Sequence, residues 1–190
     1  MSDSTKTFCE GGCACGAVRY RVTSTPMIVH ACHCRLCQTQ TGSSNAINAL
    51  IEADRVIVQS GEIETRVLDT PSGKGQRVAR CTNCKVALWS NYLINQQDDH
   101  VRFLRVGTLD DPAVMPPDVH IYTESKLPWY VIDATPAVAQ FYHHDTTWSE
   151  SSMRRLDAVG KKSGAPYPKS RMKPVAETSA SAKISEGPVE

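Results

Sequence analysis

The amino-acid sequence predicts a mainly β fold built from short antiparallel strands. Strand-like segments recur at intervals of about ten residues, and turn-forming residues separate them. Helical periodicity is weak over the first 148 residues. Hydrophobic residues make up 41% of the chain, which is enough to form a core.

The individual strands are predicted from their hydrophobic patterns. Alternation of apolar and polar residues in AVRYRV, at 17–22, indicates a strand with one buried face. The apolar run MIVH, at 27–30, indicates a strand that is buried on both faces. One short helical turn is expected over His33–Gln40. The remaining strands are predicted at 44–53, 55–61, 62–70, 75–80, 87–92, 100–107 and 118–125.

The C-terminal part of the chain has a different composition. Residues 149–190 are rich in Ser, Ala, Lys and Pro and have few large apolar side chains. Such a segment buries too little surface to offset its chain entropy, so we expect it to be disordered or loosely docked. Residues 151–190 have 8 Lys+Arg and 4 Asp+Glu, a balance of +4, whereas residues 1–150 have 13 and 16, a balance of −3. The sequence therefore predicts a folded domain over 1–148 and a basic low-complexity tail over 149–190.

Charge and hydropathy argue against several classes of protein. The formal net charge is +1, which gives no general attraction to nucleic acid or to a membrane surface. No run of about 18 apolar residues occurs, and the N-terminus lacks the apolar core of a secretion signal. We therefore expect a cytoplasmic protein without a membrane or nucleic-acid partner. The sequence does not predict the oligomeric state.

Seven of the eight cysteines fall into clusters, namely CAC at 13–15, CHCRLC at 32–37 and CTNC at 81–84. A reducing compartment disfavours disulfides, so a bound metal is the favoured explanation and disulfides are the alternative. A C-x-x-C turn aims two thiolates at one point, and four thiolates complete a structural zinc site. The first and last clusters are therefore expected to form one such site. Its ligands are Cys13, Cys15, Cys81 and Cys84.

The middle cluster supplies three thiols, and three ligands with one open position are typical of a catalytic zinc. These ligands, which we expect to be catalytic, are Cys32, Cys34 and Cys37. The fourth ligand remains open at this point. It is either a substrate or a histidine, such as His30, His33 or His120, that closes the site. An iron–sulfur cluster is a further alternative, because soft thiolates also bind iron.

These motifs resemble those of the glutathione-dependent formaldehyde-activating enzyme family, which also includes centromere protein V. The resemblance extends from about Phe8 to Pro136 and leaves out the tail. Its landmarks are GGCACGAVRY at 11–20, CHCRLCQTQTG at 32–42, CTNC at 81–84, RVGTLDDP at 105–112 and HIYTESKLPWY at 120–130.

The resemblance implies a zinc-stabilised β-tent fold, with one structural four-cysteine zinc site and one open three-cysteine zinc site. It also implies a carbon–sulfur lyase activity, in which glutathione and formaldehyde give S-hydroxymethylglutathione. The chain departs from the family at Lys85, where the family usually has a glycine after the second C-x-x-C turn. Glycine suits a positive φ, so a lysine costs roughly 1 kcal/mol there if the turn is retained.

Three side chains are candidates for binding an acidic small-molecule thiol such as glutathione. Arg35 lies inside the middle cluster, and Lys126 and Trp129 lie in the last landmark. A solvated surface position is the alternative for Arg35, and apolar packing is the alternative for Trp129. Asp110 and Asp111 are interpreted as turn residues with Asx hydrogen bonds rather than as acid–base groups.

Two classes of function compete. The first is a zinc-dependent carbon–sulfur lyase, which the open cluster and the set of landmarks favour. The second is a non-catalytic zinc module that binds another macromolecule, which only the basic tail favours. A family member with a larger, biosynthetic substrate is a variant of the first, and no residue decides between small and large electrophiles.

Overall fold

Ten strands and three α-helices are present in the computed structural model, which describes residues 7–93 and 98–164. The strands are Cys9–Gly12 (β1), Arg19–Val22 (β2), Ile28–Cys32 (β3), Ala46–Glu52 (β4), Val56–Ser60 (β5), Ile63–Leu68 (β6), Gln76–Cys81 (β7), Ala87–Tyr92 (β8), Val101–Arg105 (β9) and Val119–Ile121 (β10). The α-helices are Arg35–Thr41 (α1), His144–Thr147 (α2) and Glu150–Ser163 (α3). None of these helices is both long and apolar enough to cross a lipid bilayer.

The strands form two sheets, which confirms the prediction of a mainly β fold of short antiparallel strands. The small sheet has the order β1-β2-β5, and the large sheet has the order β10-β3-β4-β9-β8-β7-β6. The described pairings are antiparallel except that β10 runs parallel to β3. The sequence does not predict β1, because its residues, CEGG, have low strand propensity and it forms by pairing with β2.

The two sheets enclose a hydrophobic core. Its buried members include Tyr20, Val22 and Val56 from the small sheet and Ala49, Ile51, Trp89 and Leu104 from the large sheet. Tyr20 meets Trp89 edge-on, with ring centroids 6.3 Å apart, and its hydroxyl is 2.7 Å from Thr108 Oγ1. The buried tyrosine hydroxyl therefore has the hydrogen-bond partner that its burial requires.

A second core covers the opposite face of the large sheet. Its buried members include Ile28, Cys32, Leu50 and Ile121 from the sheet and Tyr142, Trp148, Leu156 and Val159 from the C-terminal segment. Register pairs Ile28 with Leu50 and His30 with Asn48, so this face carries polar as well as apolar side chains. The helices after Pro136 therefore pack on the same face of the sheet that carries Cys32.

The start of the predicted tail is more ordered than the composition suggests. Ser149 caps α3 by accepting a hydrogen bond from the Ser152 N–H at 3.1 Å, and Leu156 is 1% exposed. Arg155 Nε donates to Glu52 Oε1 at 2.8 Å, which ties the helix to β4. Composition averaged over 149–190 hides this helix, because its apolar stripe has few members. Residues from 165 onward lie outside the described residues, so the prediction for the rest of the tail remains a prediction.

Truncation of Leu156, an α3 side chain that is buried in the second core, should therefore destabilise the whole domain. We expect Leu156→Ala to lower the free energy of unfolding by about 2–4 kcal/mol, because it leaves a cavity in the second core. Denaturant unfolding measures this loss. Arg154→Ala is the control on the exposed side of the same helix and should change the free energy by less than about 0.5 kcal/mol. Equal stability of the two variants would contradict the docking of α3.

Candidate functional site

The first cysteine cluster joins the turn after β1 to the hairpin between β7 and β8. Its members are Cys13, Cys15, Cys81 and Cys84. Their sulfur atoms all lie within 4.8 Å of one another. Cys13 Sγ is 3.4 Å from Cys15 Sγ, and Cys15 Sγ is 3.9 Å from Cys81 Sγ. The structure therefore brings together two pairs of cysteines whose nearest members, Cys15 and Cys81, are 66 positions apart in the sequence.

This geometry fits a tetrahedral zinc ion. Zinc–sulfur bonds of about 2.3 Å place tetrahedral sulfurs about 3.8 Å apart, close to the distances in the cluster. Backbone N–H groups point at the sulfurs, as in the 3.2 Å hydrogen bond from Val18 to Cys13. Those of Val86 and Cys15 lower the pKa of Cys84 to about 6. Such hydrogen bonds favour the thiolate, which is the form that binds metal.

The turn that carries Cys84 retains the conformation for which glycine is usual. Lys85 has φ of 60°, in the left-handed region, and its N–H donates to the Cys81 carbonyl at 3.1 Å. The lysine is therefore accommodated at a cost of about 1 kcal/mol, without a change of the turn. Its Nζ lies 3.0 Å from Glu64 Oε2 on β6, an exposed ion pair of little energetic weight.

The second cysteine cluster lies where β3 leads into α1. Cys32 ends the strand, Cys34 is the N-cap of the helix, and Cys37 is in its first turn. The three sulfurs lie within 4.8 Å of one another, and Cys34 Sγ accepts a hydrogen bond from the Cys37 N–H at 3.4 Å. A strand end and a helix start thus hold the three thiols together, as the C-x-C-x-x-C spacing predicts.

Electrostatics in this cluster favour one thiolate even without a cation. Hydrogen bonds from the thiols of Cys32 and Cys37 lower the pKa of Cys34 to about 3. The pKa of Cys32 is raised, because it donates to Cys34 and Cys37 and is buried. A bound cation would favour the thiolate form of all three. This second cluster can therefore hold a metal ion through three sulfurs.

The histidines near this cluster do not complete it. Among the described residues, no histidine nitrogen or carboxylate oxygen lies within 4.8 Å of all three sulfurs. His33 Nε2 and His120 Nδ1 share a hydrogen bond of 2.8 Å, and Tyr130 packs edge-on against His33 with centroids 5.0 Å apart. His30 is buried, and burial followed by the charge of Arg105 lowers its pKa to about 3. The geometry thus favours an open fourth position over closure by a histidine.

The three side chains proposed for substrate binding differ in their exposure. Arg35 is exposed at the start of α1 and donates to Gln38 Oε1. Lys126 is half-buried, and its Nζ donates to the carbonyl groups of Leu127 at 3.1 Å and Tyr130 at 2.6 Å. Trp129 is 69% exposed, so it does not pack into the core. These placements leave the binding roles of the three residues as predictions.

Gln38 links the helix of the cluster to the loop that carries Lys126. Its Nε2 donates to the carbonyl of His33 at 2.7 Å and to the carbonyl of Ser125 at 2.9 Å. Gln38 is itself buried, so these hydrogen bonds are shielded from water. Gln38 therefore ties the loop that carries Lys126 to helix α1. Residue spacing in the sequence does not reveal this role.

Arg105 is a residue of this site that sequence reasoning misses. It is 7% exposed, and its guanidinium donates to Asn48 Oδ1 at 2.7 Å and to Gln40 Oε1 at 2.8 Å. Gln40 is on α1, one turn after Cys37. The sequence signal that could identify Arg105 is the alternation of side chains along a strand. Val101, Phe103 and Arg105 share one face of β9, so a charged side chain stands among positions that face the core.

The remaining candidates have structural roles. Asp110 forms a bidentate pair with Arg19, and the side chain of Asp111 accepts a hydrogen bond from the Ala113 N–H at 3.1 Å. Asp111 therefore makes the predicted Asx hydrogen bond, whereas the side chain of Asp110 forms an ion pair in place of the predicted Asx contact. Cys9 lies outside both clusters and packs half-buried against the core, where burial followed by the charge of Asp110 raises its pKa to about 11.

Comparison with known proteins agrees with the resemblance of the motifs. The family model described as "Glutathione-dependent formaldehyde-activating enzyme" matches residues 8–125. A Halomonas elongata protein named "Putative glutathione-dependent formaldehyde-activating enzyme" is 32% identical over 131 residues, which cover 66% of this chain and 81% of that protein. A crystal structure of a Rhodobacter sphaeroides protein is 18% identical and covers 53% of this chain and 87% of its own, with a TM-score of 0.40. The family match spans more than half of the sequence, and the chain therefore belongs to the glutathione-dependent formaldehyde-activating enzyme family.

Proposed function

We propose that this protein is a zinc-dependent carbon–sulfur lyase that joins a small-molecule thiol to an aldehyde. The founding reaction of the family is the best candidate, namely glutathione plus formaldehyde giving S-hydroxymethylglutathione. The observation that carries the proposal is the second cluster, in which Cys32, Cys34 and Cys37 bring three sulfurs together without a fourth ligand from the described residues. The four-cysteine cluster would hold a second, structural zinc ion.

The proposed chemistry is a balanced addition. The substrate sulfur attacks the carbonyl carbon, a C–S bond forms, and the carbonyl electron pair moves to oxygen, which takes up a proton. The reverse reaction breaks the same bond. Cys32, Cys34 and Cys37 would hold the zinc ion, which would leave one position for a substrate thiol and would lower the pKa of that thiol. The reaction needs no redox partner and uses a thiol that is abundant in the cytoplasm, where we place the protein.

The residues around the cluster supply binding and orientation. Lys126 and Arg35 carry the positive charge that would attract the carboxylates of glutathione, and Trp129, three residues after Lys126, offers an exposed apolar surface. The buried pair of His33 and His120, covered by Tyr130, limits access of water from that side. Residues of α1 and of the loop after β10 would thus form the walls of the site.

Calorimetric titration of the zinc-loaded protein with glutathione tests the proposal. We expect saturable binding that requires the free thiol, because the sulfur would occupy the open position. S-methylglutathione is the matched control: it keeps both carboxylates and the peptide but cannot form a thiolate. Formation of S-hydroxymethylglutathione above the spontaneous rate, followed by NMR, then identifies the reaction. Absence of heat with glutathione, or equal affinity for S-methylglutathione, would contradict it.

A further inference from the structure

Arg105 carries a buried positive charge whose hydrogen-bond partners are neutral. Its two terminal nitrogens donate to the amide oxygens of Asn48 and Gln40. The ion pairs formed by the described residues do not include it. Burying a charge is costly unless an opposite charge compensates it. The structure therefore raises the question of which negative charge faces Arg105.

The strand register places the three-cysteine cluster on the same face of the sheet as Arg105. Arg105 on β9 lies opposite Asn48 on β4, and Asn48 lies opposite His30 on β3, so the three side chains share one face. Cys32 follows two positions after His30 and therefore points to the same face. Two strand spacings amount to about 10 Å and the two-residue offset from His30 to Cys32 to about 7 Å, so the backbones lie about 12 Å apart, and the long arginine side chain covers part of that distance.

Helix α1 provides a second link between Arg105 and the three-cysteine cluster. Gln40, which accepts a hydrogen bond from Arg105, lies three residues after Cys37, so both are on one side of the helix. The hydrogen bond to Gln40 therefore ties the guanidinium to the helix that carries Cys37.

We propose that Arg105 neutralises the negative charge of the three-cysteine metal centre and thereby allows a substrate thiolate to bind there. This inference rests on the proposed function. Three thiolates with one divalent ion leave one excess negative charge, which would repel a further thiolate. The buried guanidinium cancels that excess. Arg35 is exposed and Lys126 is only half-buried, so water and salt screen their charges more strongly.

The test compares two thiols on two variants. Zinc-loaded wild type, Arg105→Gln and Arg105→Lys are titrated in a calorimeter with glutathione and with 2-mercaptoethanol, a thiol that has no carboxylate. We expect Arg105→Gln to bind both thiols about tenfold to a hundredfold more weakly, and Arg105→Lys to retain most of the affinity. Arg102→Gln is the matched control, because Arg102 on the same strand stacks on Trp89 in the opposite core. It should leave both affinities unchanged.

The outcomes distinguish the alternatives. Unchanged affinity of Arg105→Gln for both thiols would overturn the inference. A loss confined to glutathione would also overturn it, because Arg105 would then be holding a substrate carboxylate. Zinc content is measured first. Loss of the second ion from Arg105→Gln but not from Arg105→Lys supports neutralisation, and its loss from both Arg105 variants refutes neutralisation. If wild type binds neither thiol, the proposed function fails, and zinc affinity measured with a chromophoric chelator still decides whether Arg105 neutralises the cluster.

Discussion

Replacement of Cys34 by serine is expected to abolish turnover while leaving the fold intact. The change removes one of three sulfurs from the open cluster, so the zinc content should fall from two ions towards one. Serine is one of the best N-cap residues, so it can replace the Cys34 sulfur that caps α1. We expect roughly a thousandfold loss or more in kcat/KM for the reaction of glutathione with formaldehyde.

Cys9→Ser is the matched control for this variant. It makes the same chemical change at a half-buried position outside both clusters, and it should keep full activity and both zinc ions. Circular dichroism and thermal unfolding establish that Cys34→Ser is folded. Wild-type turnover by a folded Cys34→Ser protein would show that the second cluster is not the catalytic centre.

The cysteine clusters could be predicted from the sequence because their geometry is largely local. C-x-C and C-x-x-C spacings fix the direction of neighbouring thiols through one turn, and the structure places Cys32, Cys34 and Cys37 within such a turn. The pairing of Cys13 with Cys81 is not local. That pairing is predicted by counting ligands. The sequence has two clusters of two thiols and one cluster of three, and the two smaller clusters together supply the four ligands of a structural zinc site.

The surroundings of the open cluster could not be predicted in the same way. The contact of Arg105 with Gln40, and that of His33 with His120, join residues 65 and 87 positions apart. Each depends on strand order and register, which the hydrophobic pattern of one chain leaves undetermined. The sequence instead favours Arg35 as the cation of the site, because it lies between Cys34 and Cys37 along the chain, but the Arg35 side chain is exposed to solvent.

Helix α3 shows how composition conceals a packed element. Its stripe of Met153, Leu156 and Val159 is narrow, and a polar tail surrounds it in the sequence. Its docking depends on partners elsewhere, including the carboxylate of Glu52 and the carbonyl of Met27, which accepts from Ser152 at 2.7 Å. Composition correctly identified a polar segment, but packing against the sheet determines that its first part is ordered.

Loss of a ligand from the four-cysteine cluster should lower the stability of the domain more than its catalytic activity. Cys15 is the best position to change, because it is exposed and a serine there leaves the core packing intact. The cluster links positions 66 residues apart, and a covalent cross-link of that span removes roughly 4 kcal/mol of unfolded-chain entropy. We expect Cys15→Ser to reduce the free energy of unfolding by about 2–5 kcal/mol, which corresponds to roughly 5–20 °C in the unfolding temperature.

Cys34→Ser serves as the internal comparison for this prediction, because it removes a sulfur from the other cluster. Its unfolding temperature should remain near that of the wild type, whereas that of Cys15→Ser should fall clearly. Below its unfolding temperature, Cys15→Ser should still bind glutathione, since the open cluster is unchanged. If Cys15→Ser unfolds like the wild type, or if the two variants lose stability equally, the division into a structural and a catalytic cluster is wrong. The two serine variants together thus assign a separate role to each set of thiols.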